Sequence, residues 1–370
     1  MVDPFLALPG AVADASSGAA SHFGAPLIEQ RAFAEGSAAV SLSHRGIVVV
    51  DGPDRLRWLD SMTSQRLHDL APGESTETLL LDPQGHIEHA IRITDDGERS
   101  WLLVDEGEAE SLCAFLQRMR FTLRVEVHDL SDTHAAVCVS EGGSAVAALR
   151  GLGRASIEWQ DPWSSTLGGG AQYARGNHPG SDWHMVQMVF ERSDLPAIAD
   201  LVAAGALRAA GTSSLDALEI RAWRPSFHGE VDERALPHEF DWLRTAVHLN
   251  KGCYRGQETV AKVHNLGHPP RRLVLLHLDG SGGELPTAGT RVFRAEDAGS
   301  ADAKPVGRIT RAALHYEWGG IALALLKRAV PEDAEFVVTG PTGEQIAASQ
   351  EVIVPSDAGR TREVPRLPRL

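Results

Sequence analysis

The sequence predicts an α+β protein whose last quarter is all-β. Two observations carry this. Strand-like and helix-like periods alternate from residue 46 to about residue 260, and after Pro269-Pro270 the helical period fades into short strand runs divided by Gly, Pro and Asp turns. At 370 residues and 43% hydrophobic content, the chain is long enough for two or three domains with real cores.

In chain order, the apolar run at 46–50 reads as a strand, followed by DGPDRLRWLDSMTSQRL, where Pro53 suits a first helical turn and Leu56, Leu59 and Met62 recur every three residues. Residues 77–81 and 86–94 flank the turn DPQG as a hairpin, the second run placing Ile87, His89, Ile91 and Ile93 on one face. After the DDG turn, WLLVD is a strand, and residues 106–120 form a helix with Leu112, Phe115, Leu116 and Met119 at helical spacing. Residues 131–210 repeat the pattern as strand AAVCVS, helix SAVAALRG, a glycine-rich loop, strand MVQMVF and helix LPAIADLVAAG, an order that fits a split βαβ unit. Ser213 opens a further helix with a capping-box-like SSLD. LVLLHL, TRVF, VGRIT, IALALL and EFVV then read as strands of a small barrel or sandwich.

Fifty acidic against 35 basic side chains leave a net charge of −15, which repels nucleic acid and anionic membrane. Three widely spaced cysteines, Cys113, Cys138 and Cys253, argue against a disulfide framework and for a reducing compartment, hence a cytoplasmic protein. Residues 1–25 hold no Lys or Arg, lack the basic region of a secretory signal and read as a flexible tail; the Pro- and Arg-rich stretch from Pro355 reads as a second one. No apolar run has the length of a membrane-spanning helix.

The most informative segment is KGCYRGQE, residues 251–258. It sets the Cys253 thiol between two glycines, with Lys251 and Arg255 two residues to either side, cations that favour a thiolate. If the following ETVAKVHN is helical, its N-terminal dipole adds to this. Tyr254 and Gln257 offer a ring and an amide to a heterocycle, and Gly252 and Gly256 permit close backbone approach. Local chemistry alone favours a structural cysteine in a turn. His264 and His268 are four residues apart, but GHPP interrupts the helix that would put them on one face, so they make no zinc pair, and no cysteine cluster is spaced to hold an iron-sulfur cluster alone.

KGCYRGQE, together with GPDRLRWLDSMTSQRL, LLLDPQGHIEHAIRI, RPSFHGEVDERALPHEF, HNLGHPPRRL and VGRITRAALHYEWGGIALALLKR, resembles in order and content the YgfZ family of folate-binding iron-sulfur cluster assembly and repair factors. These are relatives of the glycine cleavage aminomethyltransferase. The resemblance reverses the structural reading of Cys253. It implies a three-domain aminomethyltransferase-like ring: a folate-binding domain at 26–130 plus 211–270, a ferredoxin-like second domain at 131–210, and a C-terminal β-barrel at 271–354, with tails at 1–25 and 355–370. It further implies tetrahydrofolate as cofactor, Cys253 and Lys251 as the reactive pair, and Glu239, Tyr254, Gln257, Arg221 and His89 as folate contacts, Glu239 at the pterin. Arg221 and Arg224 match a basic stretch facing the folate tail, though a solvated helix end accounts for them equally. Implied partners are folate and iron-sulfur client enzymes or cluster-assembly proteins, with no nucleic acid and no membrane.

The transferase's catalytic aspartate falls where GHIEHA has His89-Ala90, so enzymatic one-carbon transfer is the alternative reading, with His89 as a proton carrier or as an ordinary strand histidine. A non-catalytic scaffold built on the folate fold is a third.

Overall fold

The computed structural model describes residues 3–280, 283–300 and 302–361. The first of two five-stranded sheets is antiparallel, in the spatial order Ser75–Leu81, Ile87–Asp95, Arg99–Val104, Gly46–Asp51 and Glu126–Asp129. Helices Arg55–Met62 and Glu108–Met119 cover one face, burying Leu59, Leu112 and Leu116 on Val48, Val50, Ile91 and Leu102. Ile47, Val49, Trp101 and Leu103, on the opposite pleats, enter the shared core instead, as period-two alternation requires. The hairpin is present, but its alternation breaks at the start of the second strand. Leu81 pairs with Ile87 and Leu80 with His89, leaving Glu88 as a bulge residue. Ile87 therefore packs in the shared core while Ile91 and Ile93 pack under the helices, rather than all four residues sharing one face.

The second sheet runs Ile157–Gln160, Met185–Glu191, His134–Ser140, Ala38–Leu42 and Arg208–Ala210, with only the last pair parallel. Helices Ser144–Gly151 and Leu195–Ala203 cover its outer face on Val137, Val139, Met188 and Phe190. Ala38–Leu42 pairs with His134–Ser140 almost a hundred residues later, so the chain enters this sheet before it builds the first. Residues 3–25 depart from the expected flexible tail. Phe5 is fully buried beneath this sheet, and the Asp3 carboxylate accepts the hydroxyls of Ser41 (2.6 Å) and Ser43 (2.7 Å). At the other end, Ala358 is buried and its carbonyl lies 2.8 Å from His268 Nδ1; residues 362–370, the rest of the expected second tail, lie outside the described residues.

The C-terminal unit is a closed six-stranded barrel of Arg271–Leu278, Gly319–Lys327, Gly307–His315, Arg291–Arg294, Glu335–Thr339 and Gln345–Val352. Alternation divides its strands between two cores. Val274, Leu276, Ala324 and Leu326 fill the barrel, while Leu273, Leu275, Leu323 and Leu325 pack outward into the shared core. Each such buried aliphatic side chain contributes about 1.5–3 kcal/mol. One cation clamps the same junction. Arg311 reaches Glu230 (3.1 Å), Glu219 and the Arg224 carbonyl (2.7 Å), joining the barrel to helix Thr212–Arg221 and to the short helix Phe227–Glu230. Helix Thr212–Arg221 starts without the expected capping box: Gly211 is its N-cap, and the Ser213 hydroxyl donates to the Ser21 carbonyl (2.7 Å). Among the described residues, no helix is long and apolar enough to cross a membrane.

Candidate functional site

Residues 251–256 form a loop whose side chains divide into an anchored set and a presented one. Lys251 turns inward: its ammonium donates to the carbonyls of Asp60, Thr63 (2.8 Å) and Gln65 (2.7 Å) and lies 3.3 Å from the Asp60 carboxylate. Those carbonyls belong to the last turn of helix Arg55–Met62 and to the residues just after it, so the lysine satisfies groups that a helix end leaves unpaired. Burial pulls its pKa down, against the opposing pull of Asp60. Tyr254 is buried beside it, with the ammonium 5.4 Å from its ring centroid, and burial raises its phenol pKa. The Gln257 amide donates back to the carbonyls of Lys251 (3.3 Å) and Gly252 (3.2 Å), closing the loop on itself.

Gly256 has φ +82° and caps helix Gln257–Leu266. A Cβ there would stand 2.7 Å from the Asp82 carbonyl and 3.0 Å from Gly85 Cα, so the loop rests directly on the DPQG hairpin turn. Gly85, at φ +85°, is equally tight against Thr259 of the helix.

What this leaves in solvent is Cys253. It is exposed, whereas Cys113 and Cys138 are buried and burial pushes their thiols up to about 11 and about 12. The two causes of reactivity read from sequence are rearranged here. Lys251 is committed to backbone carbonyls, and Arg255 pairs with Glu88 through both carboxylate oxygens. The helix begins at Gln257, four residues on, so Cys253 lies outside its first turn, where the dipole acts.

The expected folate contacts lie in different surroundings. Glu239 is fully buried, its carboxylate held by Arg271 (Nε 2.9 Å, Nη2 2.7 Å) and by the Leu236 N–H (3.2 Å), so a pterin meets that carboxylate only after Arg271 has moved. Arg224, read as a tail contact or a solvated helix end, is neither: it is buried between Glu77 (2.7 Å) and Asp161 (3.1 Å). Arg221 lies flat on Trp318, 3.6 Å from the ring centroid, and lines a cleft of about 190 Å3 with Trp183, Leu218, His315 and Tyr316. The cleft has the flat walls and the cation that a pterin or aminobenzoyl-glutamate group needs, while Asp182 and Glu317 add acidity at its rim. With Arg271 in place the Glu239 carboxylate offers no free acceptor to a pterin, and the Arg221 cleft, at about 190 Å3, has room for one ring system rather than for a whole tetrahydrofolate.

His89 sits on the bulged strand with Nδ1 2.6 Å from Glu108 Oε2 and its ring stacked on Phe227 at 6.3 Å. Sequence reasoning missed Glu108 as its partner; the signal was an acid at the start of a predicted helix. It also missed the Asp60 and Arg271 partners, which lie far from Lys251 and 32 residues from Glu239 in sequence. His264, set aside as a metal ligand, stacks on Tyr173 and lies 2.9 Å from its hydroxyl. Among the described residues, no group of three or more His, Cys, Asp and Glu side chains is arranged to hold a metal.

Residues 19–165 match the GCVT N-terminal domain family. The chain is 28% identical over 252 residues to an aminomethyltransferase of Rippkaea orientalis, covering 65% of this chain and 66% of that protein. It is 27% identical over 255 residues to the mitochondrial iron-sulfur cluster assembly factor IBA57 homolog of Mycosarcoma maydis, covering 63% and 55%. The match thus spans less than two thirds of either relative. In three dimensions it superposes on glycine cleavage system aminomethyltransferase T from Bartonella henselae with a TM-score of 0.74, 18% identity and 97% of both chains covered. These comparisons give the chain the fold of glycine cleavage aminomethyltransferase T, with residues 19–165 matching the GCVT N-terminal domain.

Proposed function

We propose that this protein is a tetrahydrofolate-binding factor for the assembly or repair of iron-sulfur clusters in client enzymes, with Cys253 as the group that engages the cluster or its sulfur. The observation that carries the reading is the mounting of Cys253: a loop fastened through Lys251, Tyr254, Gln257 and Gly256 leaves the Cys253 thiol exposed, while Arg255 beside it is partly buried and paired with Glu88. Similarity to an iron-sulfur assembly factor supports the direction of the chemistry. Folate enters through Arg221 in its cleft, with Glu239 available to the pterin once Arg271 releases it.

Two experiments test the two halves separately. Calorimetric titration with reduced tetrahydrofolate should show binding that weakens about tenfold in Arg221→Ala and in Glu239→Gln, the loss of one charge-assisted contact each; no binding to the native protein removes folate. In cells lacking the gene, Cys253→Ala should fail to restore the activity of an iron-sulfur dehydratase that the native chain restores. Full restoration by that variant refutes the cluster role.

A second reading, one-carbon transfer from an amine to tetrahydrofolate, has one observation in its favour. The His89–Glu108 pair is a carboxylate-oriented imidazole of the kind that moves protons. Turnover of an N-methyl or aminomethyl substrate, abolished by His89→Gln, would establish it.

A further inference from the structure

Beside the Cys253 loop lies a cationic, aromatic face that neither reading uses. Helix Glu108–Met119 is electrically divided. Glu106, Glu108 and Glu110 stand at its start, while residues 111–125 contain Arg118, Arg120 and Arg124 and no acid, on a chain whose net charge is −15. The basic end reaches the thiol loop through Phe115. Its ring carries the Arg118 guanidinium at 5.5 Å and that of Arg255, two residues from Cys253, at 5.3 Å.

The face is not consumed by internal pairing. Glu88 neutralises Arg255 and Asp54 holds Arg124, but Arg118 and Arg120 are exposed, and among the described residues no carboxylate pairs with either. Directly after Arg120, Phe121 is 78% exposed and held at φ +46°, a backbone region that bulky side chains rarely occupy. Leu123 is exposed next to it. A positive patch in which Arg118 and Arg120 lack a carboxylate partner among the described residues, with a protruding aromatic ring beside them, has the composition of an interface anchor rather than of ordinary surface.

We propose that Phe115, Arg118, Arg120 and Phe121 form the docking face for an acidic segment of the protein partner that exchanges its cluster or sulfur at Cys253. The inference rests on the cluster-factor reading. The charge fixes the partner's chemistry: an Asp- or Glu-rich strip with an apolar notch for Phe121, set beside its own reactive group. Steering by such a patch raises the encounter rate at low salt and fades with ionic strength.

The test uses the full chain and two thiol probes, the dianionic disulfide 5,5′-dithiobis(2-nitrobenzoate) and the neutral 2,2′-dithiodipyridine, each releasing a thiolate as Cys253 forms the mixed disulfide. In Arg118→Glu/Arg120→Glu the rate with the anionic probe should fall about fivefold at low salt and converge on the native rate at high salt, with the neutral probe unchanged. A ratio of variant to native rate that is the same for the two probes would overturn the proposal. In the cell assay, the same variant and Phe121→Ser should lose restoration, while Arg118→Lys/Arg120→Lys keeps it. Loss in Cys253→Ala with full activity in the charge-reversed variant rejects the docking face and leaves the cluster role standing; full activity in Cys253→Ala refutes both.

Discussion

Charges are put to opposite uses in two regions of this molecule. At the barrel junction, Arg311 spends its donors on Glu230, Glu219 and a carbonyl, all buried. At the thiol loop, Lys251 spends its donors on three carbonyls, yet the consequence is that Cys253, two residues away, stays exposed. The first network holds a fold together and the second holds a side chain out. Buried charge marks function only when what it positions is reachable.

The contrast can be broken at either end. Arg311→Ala should cost most, about 3–5 kcal/mol in urea unfolding, because it strands two buried carboxylates; a loss under 1 kcal/mol would mean that the junction is held by its aliphatic contacts alone. Lys251→Met should cost about 2–3 kcal/mol by leaving carbonyls unsatisfied, and should also change the alkylation rate of Cys253. An unchanged rate would separate the anchor from the thiol.

Acid titration offers a smaller effect. Asp232 is held down from 3.8 to about 2, with the bonds from Arg271 as the chief cause working against its desolvation. A carboxylate lowered in the folded state contributes stability above its unfolded pKa and loses it as pH falls through the folded one. The urea midpoint should therefore fall between pH 4 and pH 2, and Asp232→Asn should flatten that part of the profile. Cys253→Ala should have the least effect on stability, within about 0.5 kcal/mol. The native chain should take up one iodoacetamide at pH 8, and this variant none. A second labelled site would show that Cys113 or Cys138 is less protected than its burial indicates.

What could be read from the sequence follows the range of each interaction. The hairpin around DPQG, the helix at 108–119 and five of the barrel strands announce themselves within a few residues, because period and turn chemistry are local. The sixth barrel strand, Gln345–Val352, alternates with Ala and Ser, weak markers of a strand. Ala38–Leu42 has a partner almost a hundred residues away, which no window contains. The site divides in the same way. Cys253 was visible as a motif and its exposure agrees with the role proposed for it, but Lys251 was read as the thiol's neighbour because backbone carbonyls leave no mark in a sequence. Phe121 shows neither its exposure nor its backbone angle until the chain is folded.

The contact between Gly85 and Gly256 bears on the thermodynamics of whatever meets Cys253. With hairpin turn and thiol loop in backbone-to-backbone contact, the loop shares the stiffness of a five-stranded sheet. Fixing one residue's backbone costs about 1–2 kcal/mol. A thiol already fixed in place requires no such ordering at the moment of encounter, so a transient partner can bind weakly, react and leave.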